Sequence, residues 1–257
     1  MPTYDRTGQG YDSTRRADPY ILSRLLHHLN AKPGEKILDV ACGTGNYTIA
    51  LAQSGLTMYG LDQSSVMIDN ARKKSDKVTW HLGNAQHMPF GDKTFSGALC
   101  TLAIHHFKGI KPIFADIFRV LAQGRFVVFT ADPEPMEKSW LNHYFPKMMT
   151  TSAERIPRKE DVKKNLIDVG FKTIYTERFY VTKTLQDLFL FAGKHRPELY
   201  LDPKVRAGIS SFAELANVEE VERGLAQLAN DIDSGRIAEV MAADPNESDY
   251  LFVIAEK

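Results

Sequence analysis

The sequence predicts an α/β protein: a doubly wound, mostly parallel seven-stranded sheet carrying helical cap insertions. Three observations lead there. From about residue 18 to 132, short apolar segments alternate with segments of helical period. Each connection is long enough for one helix, so successive strands have to pair in parallel through right-handed crossovers. The strand segments are apolar almost throughout, which requires both faces of the sheet to be covered.

The elements follow in order. Asp18-Pro19 reads as an N-cap with proline at the first helical position; Ile21, Leu22, Leu25, Leu26 and Leu29 share one face, and Pro33-Gly34 is expected to end the run. Lys36–Ala41 is a first strand breaking into Cys42-Gly43-Thr44-Gly45, and a helix then runs to Gly55. Leu56–Leu61, Val78–Leu82, Phe95–Leu102 and Phe126–Thr130 are four more strands, with helices at Ser65–Lys74 and Ile110–Leu121. Lys159–Val169 is a helix closed by Gly170, and Thr173–Val181 and Asp249–Ala255 are the last two strands. Two stretches interrupt the alternation. Within 134–156 Trp140, Leu141, Tyr144, Phe145, Met148 and Met149 recur at helical spacing. Thr184–Pro245 reads as helical, with Val218, Val221, Leu225, Leu228 and Ile232 as one apolar stripe. A return to strand after so long a helical stretch predicts a core of residues 1–133, 158–183 and 247–257, with 134–157 and 184–246 inserted as a cap.

The chain has 257 residues, enough for one elaborated domain or two small ones. Thirty-two basic residues balance thirty-two acidic ones, which argues against phosphate-neutralising contact with nucleic acid. Apolar runs such as Phe126–Thr130 are far below the ~18 residues that cross a bilayer. The first residues lack the apolar stretch of a signal peptide. Cys42 and Cys100 alone make neither a disulfide framework nor a zinc site. The expected setting is the cytoplasm, without membrane partners.

The strongest chemical signal is Ile37-Leu38-Asp39-Val40-Ala41-Cys42-Gly43-Thr44-Gly45-Asn46. A glycine-rich turn between a first strand and its helix lets a ligand approach the backbone and meet the helix N-terminus; alone, it is also an ordinary tight turn. The nicotinamide fingerprint requires glycine where Thr48 stands. Asp39 lies inside the strand end, where a carboxylate needs a donor or a cationic ligand, and it suits an ammonium group better than a pyrophosphate. Asp62, after the second strand, can accept both hydroxyls of a ribose or cap the next helix. Gly83-Asn84-Ala85 can read an adenine edge or be a plain turn.

Taken together, LDVACGTG, LDQS, GNAQHMPF and HHF…FRVL resemble class I S-adenosylmethionine-dependent methyltransferases, most closely the quinone-biosynthesis-type and related small-molecule branch, over residues 11–132. The resemblance implies a Rossmann-like methyltransferase fold with an antiparallel seventh strand. It implies that Asp39, Ala41, Gly43 and Gly45 hold the methionine part of the cofactor, whose product is S-adenosylhomocysteine. Asp62 and Gln63 would bind the ribose, Asn84 and Ala85 the adenine, and Thr101 would lie beside the methionine part. Tyr11-Asp12-Ser13-Thr14-Arg15-Arg16 resembles a lead-in that covers the cofactor, with Tyr11 near the sulfonium and Arg15 near the carboxylate; the alternative is a frayed terminus with solvated charges. The family's first loop glycine is Ala41 here, and the usual acid of the third motif is Asn84.

The expected activity moves a methyl group to an O, N or C nucleophile of a small, partly apolar molecule. The alternative is a non-catalytic SAM-binding sensor or assembly protein. Polynucleotide-directed members carry an N/D-P-P-Y/F signature where this chain has Thr101-Leu102-Ala103-Ile104. No metal is implied. His105 and His106 are candidate bases of near-neutral pKa or, equally, packing and loop residues. Trp140, His143, Tyr144, Phe145 and Met148 are expected to line the acceptor pocket, since ligands bind beyond the carboxyl ends of such sheets, or, equally, to be plain core. The oligomeric state is left open.

Overall fold

Residues 11–245 and 248–257 are described by a computed structural model of the chain. The seven strands β1 (Lys36–Val40), β2 (Thr57–Asp62), β3 (Thr79–Leu82), β4 (Phe95–Thr101), β5 (Leu121–Ala131), β6 (Thr173–Phe179) and β7 (Tyr250–Glu256) form one sheet in the order 3-2-1-4-5-7-6. Strands β1 to β5 pair in parallel, and β7 runs antiparallel between β5 and β6. Strand order reverses at the β1–β4 neighbours, the place where open α/β sheets form a crevice.

Local sequence explains most boundaries. Helix α1 (Pro19–Leu29) starts where the Asp18 carboxylate accepts from the Tyr20 and Ile21 N–H groups. It ends at Asn30 in the left-handed region, before the Pro33-Gly34 expected to stop it. Helix α2 (Asn46–Gln53) follows the glycine loop, and α3 (Ser65–Lys74) is capped by Ser64, whose hydroxyl accepts from the Met67 N–H. Helix α4 (Lys111–Val120) passes into β5 with no loop, so that strand begins five residues before the predicted Phe126. Gly124 makes this possible: a Cβ there would collide with the Ser96 carbonyl beside the bulge in β4.

Two apolar layers flank the sheet, because alternate residues of each strand face opposite ways. Leu38, Ala98, Cys100, Phe126 and Val128 pack under α4 and α7 (Lys159–Val169). Ile37, Leu99, Val127, Phe129 and Phe252 face α1 and the cap.

The cap comes from the two interruptions. The first holds α5 (Pro133–Glu137), a 3-10 turn at Trp140–His143 and α6 (Pro146–Arg155). The second is less helical than its pattern predicts. It contains 3-10 turns at Leu190–Gly193 and Pro197–Leu201, α8 (Pro203–Ala207), a π turn at Ser211–Leu215, α9 (Val218–Asp233) and α10 (Ile237–Ala242). Pro197 and Pro203 each occupy the first position of a short element, so regular helix cannot run through them. Val218, 70% exposed, leaves the expected stripe. The face of α9 that is buried carries Glu220, Gly224, Leu228 and Asp231.

Candidate active site

The loop after β1 is built around positive backbone angles: Ala41 at φ +58°, Gly43 at +55° and Gly45 at +76°. A Cβ at Gly43 would project into open space, so its side there is clear for a ligand. At Gly45 a Cβ would strike the Trp80 ring behind the loop; this glycine is required by packing as well as by its left-handed backbone. Leu102, just past β4, is also left-handed at φ +54°. Ala41 and Leu102 are thus strained non-glycine residues on the two strand ends that flank the crevice.

Between those ends lies a cavity of about 370 Å³. Of the residues expected to hold the cofactor, Arg15, Asp39, Ala41, Gly43, Asp62, Gln63, Asn84, Ala85 and Thr101 all line it. Gly45 stands behind it as the α2 N-cap. The side chain of Tyr11 lies outside the described residues. Asp39 is buried, and its Oδ2 accepts a 2.6 Å hydrogen bond from the Thr48 hydroxyl. Thr48, which breaks the nicotinamide fingerprint, is therefore the donor that steadies this carboxyl. Oδ1 of Asp39 has no hydrogen-bond partner among the described residues. Burial drives the Asp39 pKa up to about 7 against the Thr48 hydrogen bond, with nearby Asp62 adding to the rise.

Asp62 accepts from the Gly43 N–H at 2.8 Å and the Ser64 N–H at 2.9 Å. It ties two loops together instead of capping α3, which Ser64 does. Asn84 accepts from the Gln86 N–H through Oδ1, leaving Nδ2 for a ring nitrogen. The Thr101 hydroxyl is buried without a partner among the described residues. Arg15, on the cavity wall, also has a structural partner. Its Nε and Nη2 are engaged by the buried carboxylate of Asp187, at 2.5 and 3.3 Å, so it anchors the lead-in segment to the cap. Asp187, which also accepts from the Tyr47 hydroxyl, carried no sequence signal. Farther along the lead-in, Asp12 accepts from the Thr44 hydroxyl and pairs with Lys74.

His105 and His106 form a 3-10 turn after β4 with ring centroids 4.0 Å apart. The expected near-neutral pKa is corrected by their surroundings. Burial first, then the Arg155 charge, lowers His106 to about 4; His105 is pushed well below its usual value by burial and its neighbour His106. Both rings are neutral at physiological pH. His106 also lines a second cavity of about 80 Å³, which shares Arg15 and Leu102 with the first. The cap walls of this second space are Met136, Ser152, Arg155 and Ile156 from the first insertion and Phe189, Leu190, Ile209 and Glu214 from the second.

Trp140, Tyr144, Phe145 and Met148 do not line either cavity. They are buried in the interior of the cap, where the Trp140 indole N–H donates to the Lys194 carbonyl and the Tyr144 hydroxyl to Asp231. Phe145 packs against Phe212. His143 is exposed and hydrogen-bonded to Gln227. The two insertions bury their richest aromatic face against each other, where the Trp140 and Tyr144 polar handles find partners, and turn Met136, Phe189, Leu190 and Ile209 toward the crevice.

The residues fit a nucleoside with an ammonium group: a buried Asp39 carboxyl oxygen without a partner among the described residues, a glycine turn with clear space, and a carboxylate after β2. Comparison with known proteins agrees. Residues 38–129 match the model of a family described as a methyltransferase domain. The chain is similar, at 34% identity and a TM-score of 0.85, to the crystal structure of a candidate methyltransferase from an antibiotic biosynthesis pathway of Anabaena variabilis, over 94% of this chain and 98% of that one. It is 33% identical over 134 residues to demethylmenaquinone methyltransferase of Tropheryma whipplei, covering 49% of this chain and 56% of that protein. Against the enzyme of the same description from Lactiplantibacillus plantarum it is 34% identical, covering 58% and 67% respectively. The chain spans about half the length of the first curated relatives it matches, 48% and 56%. With sheet order, glycine loop and full-length structural likeness in agreement, the chain belongs to the class I S-adenosylmethionine-dependent methyltransferase family.

Proposed function

We propose that the protein transfers the methyl group of S-adenosylmethionine to a small, partly apolar acceptor. The observation that carries this reading is the pair of adjoining cavities, one lined by the nucleoside-fitting residues and one closed by the cap, with His106 in both walls. Asp39 receives the ammonium group, Asp62 and Gln63 the ribose, and Asn84 and Ala85 the adenine. Gly43 and Thr101 flank the methionine part. Segments 134–157 and 184–246 act as a cap over a core of 1–133, 158–183 and 247–257. The absence of charge surplus argues against a nucleic-acid acceptor, and the free thiols of Cys42 and Cys100 suit the cytoplasm.

Held by Asp39, Gly43 and Thr101, the cofactor would supply an activated methyl group on its sulfonium. The chain's own task is alignment and exclusion of water. The neutral His106 ring, in the wall of both cavities, is placed to meet an acceptor X–H. With a pKa near 4 it orients that group and takes its proton only as the new bond forms. The second cavity supports catalysis over a non-catalytic sensor, whose cap has no need of space beside the methyl.

Calorimetry with S-adenosylhomocysteine tests the cofactor site. Asp62→Ala is expected to weaken binding by roughly 1–3 kcal/mol, as when hydrogen bonds to a charged group are lost. Unchanged affinity in a folded variant rejects the ribose role, and micromolar binding of NAD or NADP rejects the cofactor assignment. Labelled-cofactor turnover over a metabolite panel tests transfer itself.

A further inference from the structure

The second cavity adjoins an open groove between α5, α6 and the start of α7, walled by Glu137, Met149, Ala153 and Pro157. Arg155 and Ile156 line both spaces, as Arg15, Leu102 and His106 line both cavities. The three spaces are therefore neighbours in a row, and Arg155 stands at the outer junction.

Its side chain is about half exposed, and among the described residues its charged partner is Glu214 at 3.7 Å. That is longer than a good N–H···O hydrogen bond, so several of the five guanidinium donors are uncommitted. Arg119, 2.7 Å from Asp116, and Arg24, 2.6 Å from Glu177, are bound more tightly, whereas Arg236, 3.8 Å from Asp231, is as loosely held but lines none of the three spaces. Arg155 ends α6, where a cation also offsets the helix dipole, but a solvent-facing lysine would do that equally well. The charge of Arg155 reaches the reaction end of the cavity, since it is one cause of the lowered pKa of both histidines. The Ser152 hydroxyl is already committed, to the Met148 carbonyl and the Ser211 hydroxyl. Much of the remaining wall is apolar, including Leu102, Met136, Ile156, Leu190 and Ile209.

We propose that the methyl acceptor is a carboxylic acid and that Arg155 selects it: the acceptor's carboxylate takes the guanidinium donors that Glu214 leaves uncommitted, its apolar body fills the second cavity, and the atom to be methylated faces His106. This rests on the methyltransferase reading above. A planar guanidinium matches a carboxylate with two parallel hydrogen bonds, which gives orientation as well as charge recognition. The carboxylate sits at the far end from the cofactor and is not itself the methylated group.

The test uses the full chain saturated with S-adenosylhomocysteine for binding, or with labelled S-adenosylmethionine for turnover. Probes are hydroxy, amino and keto carboxylic acids, each paired with its methyl ester, against wild type, Arg155→Gln and Arg155→Lys. Acids are expected to bind and be methylated with kcat/KM roughly 10–100-fold above their esters, the range of a charged hydrogen bond. Arg155→Gln should lose that preference through KM, with Arg155→Lys partly restoring it and cofactor affinity staying within twofold. Esters used as well as acids, a preference surviving Arg155→Gln, or methylation at the carboxylate itself overturns the proposal. So does failure of every acid to bind while S-adenosylhomocysteine binds normally. Failure of S-adenosylhomocysteine to bind overturns the methyltransferase reading instead.

Discussion

A carboxyl group as deeply buried as Asp39, with one oxygen on Thr48 and the other without a partner among the described residues, carries its proton to about pH 7. The sign of its pH dependence follows. Between pH 4 and 7 the unfolded chain has released this proton and the folded chain still holds it, so stability without ligand falls as pH rises through that window, by up to about 1.4 kcal/mol per pH unit. Cofactor binding goes the other way, because only the carboxylate can pair with an ammonium group. Affinity for S-adenosylhomocysteine is therefore expected to tighten between pH 6 and 8, and Asp39→Asn should flatten both dependences. Urea midpoints and calorimetry across that range check this; a pH-independent affinity in wild type contradicts it. Asp39 was legible in the sequence because a carboxylate inside an apolar strand is chemically anomalous. Asp187 was not, since an acid in a polar stretch is ordinary until the fold sets it against Arg15 and Tyr47.

At the scale of elements, α9 shows how a helix can be shaped by its neighbour. In an isolated helix, alanine is better than glycine by about 1 kcal/mol. At Gly224, however, a Cβ would collide with the Tyr144 carbonyl and the Phe145 ring. Gly224→Ala is expected to destabilise by about 1–3 kcal/mol through overpacking, read as a lowered denaturant midpoint. A raised midpoint would mean that α9 does not seat on the first insertion. The same contact explains why Tyr144 and Phe145 line neither cavity. Helical spacing of Trp140, Tyr144, Phe145 and Met148 tells that this face is buried, and nothing in the spacing tells against what. Helices α1, α3 and α7 were legible nearly to the residue because Asp18, Ser64 and Gly170 act locally at their ends. The long second insertion was not, since prolines and glycines broke it into short turns.

Across the whole molecule, the cap interior is continuous with one face of the sheet: Phe129, Phe252, Tyr144, Tyr200 and Leu228 belong to the same apolar cluster. Polar ties cross the same boundary. Buried Lys194 in the cap holds Asp249, just before β7, at 2.6 Å, and the Asp249 carboxylate accepts from the Val181 N–H. Arg15 joins the lead-in to Asp187. Cap and core are therefore expected to unfold together, giving coincident far- and near-ultraviolet circular dichroism transitions in urea. Two separated transitions would identify the cap as an independent unit. Lys194→Met, which leaves Asp249 buried without its cation, should lower the single midpoint without splitting it.

From its order of residues alone, this protein declares an open parallel sheet, a glycine loop with an acid behind it, and an acid after the second strand. Strand and helix periods, caps and turn residues act over a few neighbours, so they can be read along the chain. Tertiary structure decided the rest. Arg15 was paired with Asp187, both histidines were made neutral by burial and by Arg155, and the cap turned its aromatic face inward. Each of these depends on which distant segments meet. Burial, charge pairing and desolvation are properties of that meeting, and no local pattern encodes them.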